Sequence, residues 1–400
     1  MRRLLFLLLT LLPLNMLAQL DTQDAVRQAE RIFSFLQYDQ TDSLYERLAD
    51  DMRAMVDKDQ LSGAMKQAEQ LAGAYQEHGE WTVNLQDTLT ICSSVCRFEN
   101  GELSAVIVFD RGWMIHGLHL MPRHDEVKHE PLPEGIVELT DTVRAADGLA
   151  LPCIITLSGL ALHPPIVVMV HGSGPLDSDE TVMANKPFRD LARLLALRGI
   201  STLRYDKRTY VSHEPVASVE EETINDALAA IALARTYNNN VYLLGHSLGA
   251  MLAPAIAEQD SLQGIVMMAA PARDMEQVVI DQVESLSPPE ATKEQKAQAL
   301  ADLHSQMPHY FVPQHQVQKA LRLHIPILLL QGERDYQVTM KDFRIWQKKL
   351  RKKKNATLIA YPALNHLFIP GEGPPTPQEY MKKGSVSEQV ADDIATFLRP

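Results

Sequence analysis

Three side chains scattered over the second half of the chain carry its most legible chemistry. Ser247 lies in Gly245-His246-Ser247-Leu248-Gly249, between an apolar run at 241–244 and a helical pattern that begins at Leu248. A serine on so tight a strand-to-helix turn exposes its hydroxyl, and the positions two before and two after it must be small. Gly245 and Gly249 meet that need. The turn also places the Leu248 N–H at a helix N-terminus, where developing negative charge is favoured. This is the equipment of a nucleophile that attacks an acyl carbon. The oxyanion formed needs a second N–H donor, and His171-Gly172-Ser173-Gly174-Pro175 follows directly on the β-branched run 166–170. Ser173, through its backbone, is the candidate, with His171, Gly172 and Gly174 shaping the loop.

An acid and a base are sought at the ends of later strands. Asp335 closes the stretch Gly332-Glu333-Arg334-Asp335 after the apolar run 325–330, and Glu333 competes with it from earlier in the same loop. His366 follows the strand-like run 356–360 and completes the chain order serine, acid, histidine. The chain has fourteen histidines, so order and position carry this assignment. His246 is nearer in sequence, but a residue inside the turn cannot easily face its own neighbour's hydroxyl. In these roles His366 takes the Ser247 proton, Asp335 orients the imidazole, and an acyl-enzyme forms and is hydrolysed.

The elements around these residues alternate. Strand-like runs at 166–170, 200–205, 241–244, 265–269, 325–330 and 356–360 are separated by helical runs at 188–197, 224–236, 248–258, 341–350 and 386–398. Such alternation predicts a mainly parallel sheet with helices on both faces and a site at the carboxyl ends of the strands. Runs at 136–143 and 151–157 read as an antiparallel pair. The long segment of about 272–323 separates two core strands and has the length of a helical cap, whose Met, Tyr and Phe residues are candidates for an acyl pocket or for simple cap core.

The stretch 135–400 resembles the α/β-hydrolase fold, and more narrowly a bacterial serine carboxylesterase family. The resemblance rests on His171 to Pro175 with the acids Asp177, Asp179 and Glu180 behind it, Arg204-Tyr205-Asp206-Lys207-Arg208, Gly245 to Gly249, Arg334-Asp335-Tyr336-Gln337-Val338 and Asn365-His366. It implies hydrolysis of small acyl esters with no cofactor and no metal. Leu176 departs from the polar residue expected in such a loop. Arg204, Asp206 and Tyr336 are candidates for substrate or loop support, with a structural ion-pair network as the alternative for the first two. Asp177, Asp179 and Glu180 read as loop acids, because no His or Cys stands at ligand spacing with them. The same triad also serves peptide or thioester cleavage, and a fold retained only for binding is a third reading.

The chain begins with Arg2-Arg3, a leucine-rich run at 4–12 and Ala18 before Gln19, the pattern of a secretory signal peptide over 1–18 that is too short to span a bilayer. An exported, periplasmic or secreted enzyme without a membrane anchor is expected. Residues 19–122 read as a small α+β domain. Helical spacing at 25–36, 44–55 and 61–75 precedes strand-like runs at 82–87, 89–98, 103–109 and 113–121, with Asn100-Gly101 as a hairpin signal. It resembles a module of unknown function that precedes some secreted bacterial esterases. Trp113, His116 and His119 read as core or rim of its sheet rather than a pocket. Residues 123–134, polar and proline-bearing, read as a linker. The net charge of −13 argues against nucleic acid or an anionic membrane as partner, and a basic run at 348–354 reads as a solvated helix face. Cys92, Cys96 and Cys153 are an odd set and read as thiols. The oligomeric state is left open.

Overall fold

Two burial patterns run through the chain, and each dictates its own layer arrangement. The computed structural model describes residues 14–86, 89–122, 132–161, 164–212, 214–288 and 291–398. Residues 1–13 of the expected signal peptide and 123–131 of the expected linker lie outside them. The chain divides into two units, Met1–His124 and Asp125–Pro400.

In the first unit burial alternates. Strands β1 (Tyr75–His78), β2 (Thr82–Gln86), β3 (Leu89–Phe98), β4 (Gly101–Phe109) and β5 (Ile115–Pro122) form an antiparallel sheet of order β1-β3-β4-β5, with β2 also paired to β3. Along β3, Cys92, Ser94, Cys96 and Phe98 are buried while their neighbours are not. The helix Leu14–Gln37 buries Ala25, Ala29, Ile32, Phe33 and Leu36, a stripe at helical spacing. The Cys92 thiol points at the Ala25 carbonyl from 3.7 Å, which puts that stripe on the sheet. All three cysteines are free and buried. Burial pushes the Cys92 and Cys153 thiols up to about 11 and the Cys96 thiol to about 12, so they are poor nucleophiles.

Four local expectations change here. The helical run 44–55 is two short helices, Thr41–Tyr45 and Asp50–Met55, because Leu48 leaves the helical path to bridge Ile115. The run 61–75 is likewise broken, at Gly63, and Tyr75 starts a strand. The hairpin turns on Glu99-Asn100, with Gly101 paired to Phe98, one residue earlier than the dipeptide suggests. Trp113 is not in a strand but in a turn with φ 61°, and β5 starts two residues later. His116 sits at the rim, its Nδ1 2.8 Å from Asp51 and its Nε2 3.4 Å from Asp110.

In the second unit the five central strands are buried along their whole length, and the edge strands are not. Its strands are β6 (Ile136–Arg144), β7 (Ala150–Ser158), β8 (Ile166–Val170), β9 (Ser201–Tyr205), β10 (Val241–His246), β11 (Ile265–Met268), β12 (Ile327–Gly332) and β13 (Ala356–Tyr361). They make an eight-stranded sheet of order β13-β12-β11-β10-β8-β9-β7-β6, parallel from β13 to β9 and antiparallel at β7 and β6. Alternate residues serve opposite faces. Val168, Val170 and Leu243 join one core, under the helices Asn225–Tyr237 and Leu248–Ala257, whereas Val167, Met169 and Leu244 join the other, under Pro187–Ala196 and Glu388–Phe397. A strand apolar on both sides belongs in such a doubly covered parallel sheet. From β8 the chain moves out to β9, then returns to β8's other side as β10. The loops after β8 and β10 therefore flank a topological switch point, where open α/β sheets bind ligands. Between β11 and β12 stand the cap helices Met275–Leu286 and Lys293–Gln306, a short turn at Pro308–Phe311, and Gln316–Arg322.

Among the described residues, no helix is long and apolar enough to cross a membrane, and no group of three or more His, Cys, Asp or Glu could hold a metal ion.

Candidate active site

β10 ends in a turn whose backbone only this sequence pattern allows. Ser247 has φ 52° and ψ −112°, a strained conformation for a non-glycine residue. A Cβ on Gly245 would stand 2.3 Å from the Gly249 carbonyl oxygen, and one on Gly249 would stand 2.2 Å from that of Val170. The two glycines thus let the turn close on itself and press against the end of β8. Its strain is held by the Ser247 N–H donating to Met268 O at 2.9 Å and by a fully buried ten-residue helix that begins at Leu248.

The acid and the base meet. His366 Nδ1 lies 2.7 Å from Asp335 Oδ2. A carboxylate only accepts, so Nδ1 carries the proton and Nε2 is left as the acceptor. Asp335 is oriented in turn: its Oδ1 accepts the Gln337 and Val338 N–H groups at 2.8 and 2.9 Å, and Gln331 Nε2 donates to Oδ2 at 3.2 Å. Glu333, the competing acid, is exposed. Asn365 builds the histidine loop, accepting the Leu367 and Ile369 N–H groups through Oδ1. Tyr336 stacks on Tyr380 at 5.8 Å and supports the same wall. Its phenol is pushed up to about 12 by burial. Among the described residues, the Ser247 hydroxyl has no hydrogen-bond partner. Contacts of this kind are commonly long before substrate binds.

The loop after β8 stands against the serine. A Cβ on Gly172 would lie 3.3 Å from Ser247 Cβ. The N–H of Gly172 donates to Glu180 Oε1 at 2.8 Å and that of Gly174 to the Tyr310 hydroxyl at 3.1 Å. The Ser173 N–H, like that of Leu248, has no hydrogen-bond partner among the described residues. His171 is buried between Phe188 and Tyr205 with Nε2 on Asp177 O. Burial pulls its pKa down to about 4, so it is a neutral wedge.

His246 faces away from its neighbour's hydroxyl, as its place in the turn demands. Its Nε2 bonds the His366 carbonyl at 2.9 Å, and its Nδ1 lies 3.0 Å from Glu180 Oε1. The second approach falls outside hydrogen-bonding directions, so it acts through charge. Burial works to lower the His246 pKa, but the Glu180 charge outweighs it and raises it; burial likewise opposes Glu180, whose pKa the His246 charge holds below the carboxylate range. One buried ion pair therefore ties the loop after β8 to the turn after β10 and the loop after β13.

The remaining candidates support the same loop. Arg204, 1% exposed, donates to Asp179, Thr156 and Glu138 at 3.1, 2.6 and 3.0 Å. Asp206 accepts the Ser178 N–H at 2.7 Å. The ion-pair reading and the loop-support reading are thus one arrangement, since Asp179 and Ser178 belong to the loop that Arg204 and Asp206 hold. Asp177 caps Thr181 through both its N–H and its hydroxyl. Sequence reasoning missed the individual roles of Glu180, Lys207, Glu222 and Tyr310. The first two stand inside quoted motifs, but nothing in an acid-rich loop or a basic pentapeptide says which member turns inward. Tyr310 is not a free pocket wall, because its hydroxyl is committed to Glu222 and Gly174.

A mainly parallel sheet in this strand order, with a strained serine turn after β10 and an acid and a histidine after β12 and β13, defines an α/β-hydrolase. Residues 219–382 match the prolyl oligopeptidase family, and residues 29–118 match a family described as a protein of unknown function (DUF3887). The chain is 35% identical to Esterase EstD of Thermotoga maritima over 403 residues, covering 92% of this chain and 95% of the relative. It belongs to that esterase family. Similar solved structures include the esterase Pf2001 of Pyrococcus furiosus (TM-score 0.49, 16% identity, 66% of this chain and 91% of that one). Another is an esterase of Pyrobaculum calidifontis (TM-score 0.46, 17% identity, 68% and 86%).

Proposed function

We propose that the protein is an exported serine carboxylesterase that cleaves small acyl esters through Ser247, His366 and Asp335. His366 Nε2 takes the Ser247 proton as Oγ attacks the ester carbon, and Asp335 stabilises the imidazolium that forms. The Ser173 and Leu248 N–H groups receive the oxyanion. The alcohol leaves with the proton from His366, and water activated by the same imidazole releases the acid from the acyl-enzyme. The observation that carries this reading is the 2.7 Å Asp335–His366 bond in a loop tied through His246 to the turn that holds Ser247. The signal-like start of the sequence supports export.

The likeness of residues 219–382 to the prolyl oligopeptidase family favours a second reading, cleavage of a peptide bond by the same groups. A fluorophosphonate probe is expected to label Ser247 and no other residue, and Ser247→Ala to remove both labelling and hydrolysis. Retained hydrolysis in that variant would reject the triad. Rates on p-nitrophenyl acetate, longer acyl esters and aminoacyl anilides separate esterase from peptidase. Preference for the anilides would favour the second reading.

A further inference from the structure

A second buried network lies behind the loop after β8, and no step proposed so far uses it. Lys207 Nζ donates to the Gly172 carbonyl at 2.8 Å and pairs with Glu222 Oε1 at 2.8 Å. The Tyr310 hydroxyl donates to Glu222 Oε1 at 2.6 Å and accepts the Gly174 N–H at 3.1 Å, while His309 Nε2 lies 2.9 Å from Glu222 Oε2. Lys207, Glu222 and Tyr310 are 2, 1 and 5% exposed. Lysine and glutamate are almost never buried so deeply unless paired, and a core this size could be filled by apolar residues at no loss of stability. Glu222 also sits in a π-helical turn, Glu220–Ile224, an irregularity frequent at functional sites.

The geometry of the peptide unit gives this network a task. The Gly172 carbonyl and the Ser173 N–H belong to one trans planar peptide, so they point in opposite directions. A cation that grips the carbonyl fixes the direction of the N–H. It also polarises the peptide and strengthens the donor, the more so in a low-dielectric interior. On either side the Gly172 and Gly174 N–H groups are already bonded, to Glu180 and Tyr310. Of these three consecutive N–H groups, only that of Ser173 is left for a ligand.

We infer that Lys207 is a positioning residue for the oxyanion: held by Glu222 and braced by the cap residue Tyr310, it aims and polarises the peptide whose Ser173 N–H meets the developing charge. This rests on the proposed triad and oxyanion donors, so the full-length wild-type chain is first treated with a fluorophosphonate. Failure to label Ser247 would overturn that earlier reading. With labelling established, Lys207→Met combined with Glu222→Gln removes the grip without leaving a buried charge unpaired. Its kcat on p-nitrophenyl acetate is expected to fall about 10²-fold, the scale of one lost oxyanion donor, with KM changed by less than about threefold. Affinity for an aryl trifluoromethyl ketone, which forms an oxyanion on the serine, should fall by a similar factor. Lys207→Gln with Glu222→Gln, which restores a neutral donor, should recover part of both losses and decides the matter alone if the first pair does not fold. Unchanged ketone affinity in a folded variant, or a loss that lies wholly in KM, would overturn the inference.

Discussion

Two of the acid–histidine pairs among the described residues, one in each unit, have nearly equal geometry. In the second unit His366 Nδ1 stands 2.7 Å from Asp335, and in the first His116 Nδ1 stands 2.8 Å from Asp51. Distance does not tell them apart. Environment does: the His366 and Asp335 side chains are 4 and 0% exposed, those of His116 and Asp51 31 and 55%. Water screens the second pair and competes for its hydrogen bonds, so it is a rim contact of small energetic weight. The first pair is dry, with the aspartate held by backbone donors and a strained serine turn tied to the same loop. An acid–histidine contact becomes chemical equipment only when its surroundings remove water and fix its direction.

The largest effects should sharpen that contrast. Ser247→Ala is expected to lower hydrolysis of p-nitrophenyl acetate by roughly 10⁶-fold while the melting temperature stays close to wild type. Asp335→Asn should reduce kcat by about 10⁴-fold, because the amide favours the wrong imidazole tautomer. Glu333→Gln, in the same loop but exposed, should leave kcat within about twofold, as surface substitutions usually do. Reversal of those two results would exchange the acids.

Glu180→Gln tests whether the buried pair with His246 matters as much as its position suggests. Breaking a buried ion pair costs about 3 kcal/mol or more, read as a lowered denaturation midpoint, and we expect a kcat loss of roughly tenfold as the Gly172 N–H exchanges a charged acceptor for a neutral one. The sign with pH follows from the two shifts. Glu180 is held below its ordinary pKa, so its contribution is present above the unfolded value and lost as pH falls through the folded one. His246 is raised, so its contribution is fully present below its unfolded value and lost as pH rises through the folded one. The stability difference between wild type and Glu180→Gln should therefore be greatest between those limits and shrink on either side. A pH-independent difference would show that the pair is not charged.

His116→Gln should have the smallest effect. Its pKa is raised by the bond to Asp51, so whatever it contributes is present below the unfolded value and lost as pH rises through the folded one. Hydrolysis should stay within about twofold of wild type and the melting temperature should barely move. A large loss of activity would break the comparison by giving the first unit a part in the chemistry.

Much of the fold is legible because its signals are local. A short, β-branched apolar run such as 166–170 reads as a doubly covered strand, and the spacing of Gly245, Ser247 and Gly249 spells a turn in which a Cβ would collide with backbone. Some expectations changed for local reasons, as at Gly63 and Trp113, and others because a partner far away in sequence intervenes. Leu48 leaves the predicted helix to pair with Ile115; Tyr310 is buried in the core, as one of its two readings expects, but its hydroxyl is also fastened to Glu222 and Gly174.

By itself the sequence determined the order of strands and helices in the second unit and the places where an acid, a histidine and a serine turn stand, because period, β-branching and glycine spacing act within a few residues. Only the tertiary structure decided which charges lie inward. Gly174 and Tyr310 are 136 residues apart, and Lys207 reaches Gly172 across 35. Whether a lysine or a glutamate is solvated or locked in a dry network depends on what the rest of the chain folds over it, and no local pattern records that.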